Sequence, residues 1–96
     1  MTPNTTTVAL VPGATQIVSA NRTRYKGIVV KETSAGAAVL EVYDSASAAS
    51  GTLVDIITLA SGGTANLYYP DGIDCQFGIV IKRVSGTNYD GSVRVG

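Results

Sequence analysis

The sequence predicts an all-β fold, an antiparallel β-sandwich or jelly-roll-like barrel of about eight short strands in a single domain. Three observations predict it. Short runs rich in Val, Ile, Thr and Tyr alternate apolar and polar positions. Clusters of Gly, Pro, Asn, Asp and Ser separate those runs, and no stretch carries the apolar spacing of an amphipathic helix. The length agrees, since 96 residues make one domain and no repeat or low-complexity linker divides it.

Residues 1–14 contain Pro3, Pro12 and several threonines around Val8-Ala9-Leu10-Val11. Proline donates no ladder hydrogen bond, so this segment is no central strand. Two readings stand: an edge strand, or an extended N-terminal arm whose Val8, Leu10 and Val11 lie on a neighbouring subunit because water would otherwise meet the apolar run. The corresponding division is an arm over 1–14 and a sandwich domain over 15–96.

Residues 15–20 form a strand with Ile17 pointing inward, and Asn21-Arg22 turns the chain. Over 25–31, Ile28 and Val30 share a face with Lys26 while Val29 shares the other with Tyr25. A strand apolar on both faces belongs in the middle of a sheet. Residues 37–43 place Ala38, Leu40 and Val42 in the core, with Glu41 and Tyr43 outside. The polar loop 32–36 between these two strands has hairpin length and a glycine, so 25–43 reads as a hairpin.

The small residues of 44–51 read as a loop. Residues 52–60 put Leu53, Asp55, Ile57 and Leu59 on one side and Val54 and Ile56 on the other, again apolar on both faces. Asp55 on that side calls for a strand end or a basic partner. Ser61-Gly62-Gly63 breaks the chain, 64–69 is a short strand, and Pro70-Asp71-Gly72 is a turn. The longest strand is then 73–84, with Ile73, Cys75, Phe77, Ile79 and Ile81 on one face and Val80 and Val84 on the other. Gly78 within it marks a bulge or a close neighbouring backbone. A turn at 85–88 leads into 89–95, whose Val93 and Val95 point inward.

Composition narrows function. Seven basic and seven acidic residues cancel, which gives no electrostatic reason to bind nucleic acid or an anionic membrane. The charged fraction of 15% is low against about 25% in typical domains. Ser, Thr, Asn, Gly and Ala therefore cover the surface, a composition suited to close contact with protein. With no histidine and a single cysteine, an internal disulfide, Cys- or His-based metal sites, a Ser-His-Asp triad and a Cys-His dyad are all excluded. The opening residues lack a basic-then-apolar leader, and no apolar run approaches the roughly 20 residues of a membrane helix. Cytoplasmic synthesis without processing is the expectation.

The remaining acid–base candidates are weak. A glycosidase-like pair would draw on Asp55, Asp71 or Asp74, and a calcium site on Asp44, Asp71 and Asp74, but no Asp-x-Asp-x-Asp run with a glutamate follows. No enzyme activity, metal or cofactor is expected. Gly62-Gly63-Thr64 lacks the lysine and helix of a phosphate loop and reads as a turn. Arg22, Arg24, Lys26 and Lys31 gather positive charge around Tyr25. The plain reading is a solvated or charge-protected strand, and the sharper one a contact with an acidic protein surface. At Tyr68-Tyr69-Pro70, adjacent tyrosines point to opposite sides, so one ring faces outward where sugar or protein can meet it. Cys75 reads as a small buried apolar residue rather than a reactive thiol.

Taken in order, Thr23-Arg24-Tyr25-Lys26-Gly27, Val42-Tyr43-Asp44 before a Ser/Ala/Gly loop, Tyr69-Pro70-Asp71-Gly72-Ile73, Gly78-Ile79 and Gly91-Ser92-Val93-Arg94-Val95-Gly96 form a pattern that resembles the small head decoration, or cement, proteins of tailed bacteriophages. The resemblance spans residues 16–96. It implies a non-enzymatic virion protein on the outside of an assembled icosahedral head, bound to the major capsid protein, often as a homotrimer at or near local three-fold positions, and bracing subunits against internal DNA pressure. It carries over no individual functional residue. The capsid-contact candidates come from the residues themselves: Val8, Leu10, Val11, Arg22, Arg24 and Lys26. The alternative is a tail-fibre, baseplate or head-fibre module binding host-surface carbohydrate through Tyr68 or Tyr69.

Overall fold

The computed structural model describes residues 6–96, so the first five residues of the expected arm lie outside the described residues. Among the described residues the chain forms eight strands and no helix: β1 (Thr6–Ala9), β2 (Thr15–Ser19), β3 (Thr23–Glu32), β4 (Ala38–Asp44), β5 (Thr52–Leu59), β6 (Thr64–Cys75), β7 (Ile79–Ser85) and β8 (Tyr89–Val95). Sheet I has the order β1-β8-β3-β6 and sheet II the order β2-β7-β4-β5.

The pairings β1·β8, β2·β7, β3·β6 and β4·β5 are those of one long hairpin whose tip is the loop between β4 and β5. Rolling that hairpin up so that β3 also meets β8 and β4 also meets β7 completes both sheets. This is the wiring of a jelly roll, the second of the two expected all-β architectures. Ile28, Val30 and Val93 of sheet I pack against Leu40, Val42, Ile57 and Ile81 of sheet II, and water is excluded between them. Each such side chain contributes about 1.5–3 kcal/mol of burial.

The rolled wiring corrects the hairpin expected over 25–43. β3 and β4 lie in opposite sheets, and loop 33–37 is a crossover between them. A side chain holds that crossover in place. Glu32 is buried, and its carboxylate accepts hydrogen bonds from the backbone N–H groups of Ser34, Gly36 and Gly62 and from the Ser34 hydroxyl. These donors, Gly62 foremost, hold the Glu32 carboxyl down at about 2.

A second correction concerns 64–84. The expected turn at Pro70-Asp71-Gly72 lies inside the twelve-residue β6, and the expected long strand 73–84 is broken at 76–78, where the chain changes sheets. The turn residues still do local work. Tyr25 faces Ile73 and Gly27 faces Tyr68, so residues 69–72 bow outward opposite Lys26 alone. Gly78 meets the close-backbone expectation: at φ +142°, a Cβ there would sit 2.2 Å from the Ser19 carbonyl oxygen.

Bulges explain the misassigned faces. The irregularity between Tyr25 and Gly27 reverses the alternation, so Tyr25 joins Ile28 and Val30 in the core instead of sharing the outward face with Val29. Ile17 lies opposite Val80 and faces out, and Val18 packs inward in its place. β3 is central, as expected, whereas β5 is an edge strand despite being apolar on both faces. On β5, Val42 faces Asp55 and Tyr43 faces Leu53, which leaves Val54 as the bulged residue and turns Leu53 outward.

Candidate docking surfaces

The leader is part of the body from Thr6 onward. β1 pairs with β8 along the edge of sheet I, and the Leu10 N–H donates to the Gly91 carbonyl at 2.9 Å. Gln16 fastens the next turn, accepting from the Val11 N–H at 2.9 Å and donating to the Ala9 carbonyl at 2.8 Å. Of the three apolar candidates, Leu10 is buried in this chain's own core, Val8 is half-buried and Val11 is exposed. For the described part of 1–14, the edge-strand reading matches this placement.

The basic candidates do not gather into one free patch. Arg22 grips Asp74 with both arms, Nε to Oδ1 at 3.1 Å and Nη2 to Oδ2 at 2.7 Å. That contact holds the Asp74 carboxyl below its usual range. Arg24 donates to the Asp71 carbonyl at 2.9 Å, and Lys26 is buried. Lys31 stands at the opposite end of β3, exposed on the outer face of sheet I.

The two tyrosines divide as their adjacency predicts. Tyr68 faces outward directly across from Gly27, and the Arg94 guanidinium reaches past that glycine to lie 5.8 Å from the ring centre while bonding the Leu67 carbonyl at 2.9 Å. Tyr69 turns inward. Its hydroxyl and that of Tyr25 both donate to Asp55 Oδ2, at 3.0 and 2.9 Å. The expected basic partner of Asp55 is thus replaced by two tyrosines. Burial and the neighbouring carboxylate push the Tyr25 hydroxyl far above its ordinary value, which keeps it a donor.

The other carboxylates also serve as braces. Asp44 accepts the N–H groups of Gln76 and Phe77 at 3.0 and 2.8 Å and so fixes the loop between β6 and β7. Beside it, Ser45, Ser50, Thr52 and the exposed Phe77 line an open cleft of about 280 Å³. Cys75 is fully buried, and burial pushes its thiol up to about 11. Among the described residues, no group of three or more Cys, Asp or Glu converges as a metal site would require.

The surface that sequence reasoning missed is the outer face of sheet II. Ile17, Val80, Tyr43 and Leu53 form one row across all four strands, with Ile56 in the next outward row and Val39 in the one beyond it. Ile17 is 52% exposed, Leu53 42% and Ile56 50%, yet Val80 between them is 0% exposed and lies outside the central core cluster. Val80 is thus covered from the outside, by its own face. The second apolar side of 52–60 hinted at it only in part, since Ile56 faces out while Val54 packs against the core. Comparison with models of protein families, with curated proteins and with solved structures finds no match.

Proposed function

We propose that this chain is a structural protein of a bacteriophage particle, a decoration or cement protein that binds the outside of the assembled capsid and stabilises contacts between its subunits without catalysing a reaction. The observation that carries this reading is the apolar row Ile17-Val80-Tyr43-Leu53 on an outward sheet face. Contiguous apolar surface of that kind marks contact with another macromolecule, and the scarcity of charge over the chain suits protein contact. The major capsid protein is the partner, the capsid surface the location, and association of several copies supplies affinity that one small contact would not.

Purified heads lacking this protein provide the test. The protein is expected to co-sediment with them, and Ile17→Asp is expected to abolish the retention while leaving the melting curve unchanged. Failure of the unaltered protein to bind heads would overturn the proposal. The exposed Tyr68 ring favours a second reading, a fibre or baseplate module that stacks on host carbohydrate. A glycan-array signal lost in Tyr68→Ala supports that reading, and silence across glycans removes it.

A further inference from the structure

The charge arrangement on the outer face of sheet II names an occupant for it. We infer that a second copy of this chain packs there, sheet II against sheet II, about a two-fold axis running along the strands between β7 and β4. The inference rests on the reading given above and assigns its parts. The apolar face holds copies together, that association supplies the affinity for the capsid, and the outward sheet I faces meet the capsid.

Two rows define the fit. One is Ile17-Val80-Tyr43-Leu53, and the next is Thr15-Lys82-Glu41-Ile56, each read from β2 across β7 and β4 to β5. About the stated axis each row meets itself reversed, because β7 of one copy faces β4 of the other. Lys82 then lies over Glu41 of the second copy, and Glu41 over its Lys82. In the neighbouring row Ile17 lies over Leu53 and Val80 over Tyr43 of the second copy, so apolar meets apolar throughout.

A two-fold contact demands that residue i meet j while j meets i. One cation and one anion, placed at equal height on the two central strands, satisfy that demand. Two charges of one sign at those positions would set like against like. Central placement also matters because aligned sheets pack at about −30°, and rows near the axis are displaced least. The Tyr43 hydroxyl donates to Glu41 Oε1 at 2.7 Å, which holds the carboxylate at the margin of the apolar row. Paired in this way, the two copies turn their sheet I faces, each with Tyr68 and Arg94, away from each other, so one dimer offers two identical polar faces to a surrounding lattice.

Sedimentation equilibrium over a concentration series tests the pair. The unaltered protein is expected to dimerise. Glu41→Lys and Lys82→Glu are each expected to weaken the dimer by about tenfold or more, since each sets like charges together. An equimolar mixture of the two variants is expected to regain nearly the original affinity, because one copy then carries only cations in the row and the other only anions. Changes within a single fold cannot produce that rescue. Ile17→Ser, exposed in the monomer, is the companion variant should either charge reversal fail to fold, and it too is expected to weaken the dimer.

A protein that stays monomeric through the series, or a mixture as weak as its components, overturns the inference. Binding to purified heads by a strictly monomeric protein would remove the pair and keep the capsid reading. A dimer that ignores heads would keep the pair and remove the capsid reading.

Discussion

Sheets I and II have the same number of strands and share one core, yet their outer faces differ in kind. Sheet I shows Thr7, Ser92, Asp90, Lys31, Asn66 and Thr64 around Ala9 and Val29 beside Tyr68 and Arg94, whereas sheet II shows Ile17, Val80, Tyr43, Val39, Leu53 and Ile56 around Thr15, Thr58 and one Lys82–Glu41 step. On sheet I the Arg94 side chain is tied down locally, to the Leu67 carbonyl and the Tyr68 ring. On sheet II the aliphatic Ile17, Leu53 and Ile56 stand about half in water around a covered Val80. A face satisfied by its own contacts gains little from a neighbour, while a face of aliphatic side chains gains whatever area a neighbour covers.

The harshest way to break this contrast is at Gly27, the gap across which Arg94 and Tyr68 meet. Its φ is +131°, and a Cβ would sit 2.0 Å from the Leu67 carbonyl oxygen. Gly27→Ala is therefore expected to cost about 3 kcal/mol or more, read as loss of a cooperative thermal transition. An unchanged melt would show that the bulge relaxes freely.

The joint between the sheets comes next. The Glu32 carboxyl lies at about 2 in the folded chain against an ordinary 4.5, so the unfolded chain binds the proton more readily. Stability from this group is fully present above pH 4.5 and is lost as pH falls through about 2. The melting temperature is expected to decline over that window, and Glu32→Gln to lower the starting value and flatten the decline. A pH-independent melt in the unaltered protein would remove Glu32 from this role.

Beneath the faces, Tyr25→Phe leaves Asp55 with one hydroxyl partner instead of two and is expected to cost about 1–2 kcal/mol. Tyr69→Phe is expected to cost less, because Tyr69 is closer to water. Denaturant titration ranks the two, and equal effects would show that they act only as a unit. On the surface, Tyr68→Ala is expected to lose about 0.5–1 kcal/mol with the Arg94 contact and to leave self-association untouched. Ile56→Ser is expected to change monomer stability by less than about 0.5 kcal/mol while reducing self-association. Reversal of that last pair of outcomes would mean that the contact face had been assigned to the wrong sheet.

Strand existence was legible in the residues because local signals govern it. Seven of the strand positions rested on β-branched alternation and turn residues, and Ala38, Leu40, Val42, Val93 and the close approach at Gly78 emerged where alternation placed them. Strand partners were not legible. Loop 33–37 has the length and glycine of a hairpin, and only the long-range pairing of β3 with β6 and β8 overrides that local preference. Faces failed wherever a bulge intervened, since one extra residue inverts every later side chain. Tyr25 and Leu53 were misplaced for that reason, and nothing in the sequence marks the bulge beside either. For the candidate surfaces, the outward Tyr68 was visible from adjacency alone. The apolar row was not, because its four members come from four strands whose order the sequence does not spell out.

The bulge at Val54 and the inward carboxylate of Asp55 lie on β5, the outer strand of sheet II. A rim that is kinked and carries a charge facing the interior is a poor template for a further strand. Fibril-like extension from that rim is thus discouraged, while the apolar outer face beside it stays open to a partner packed broadside.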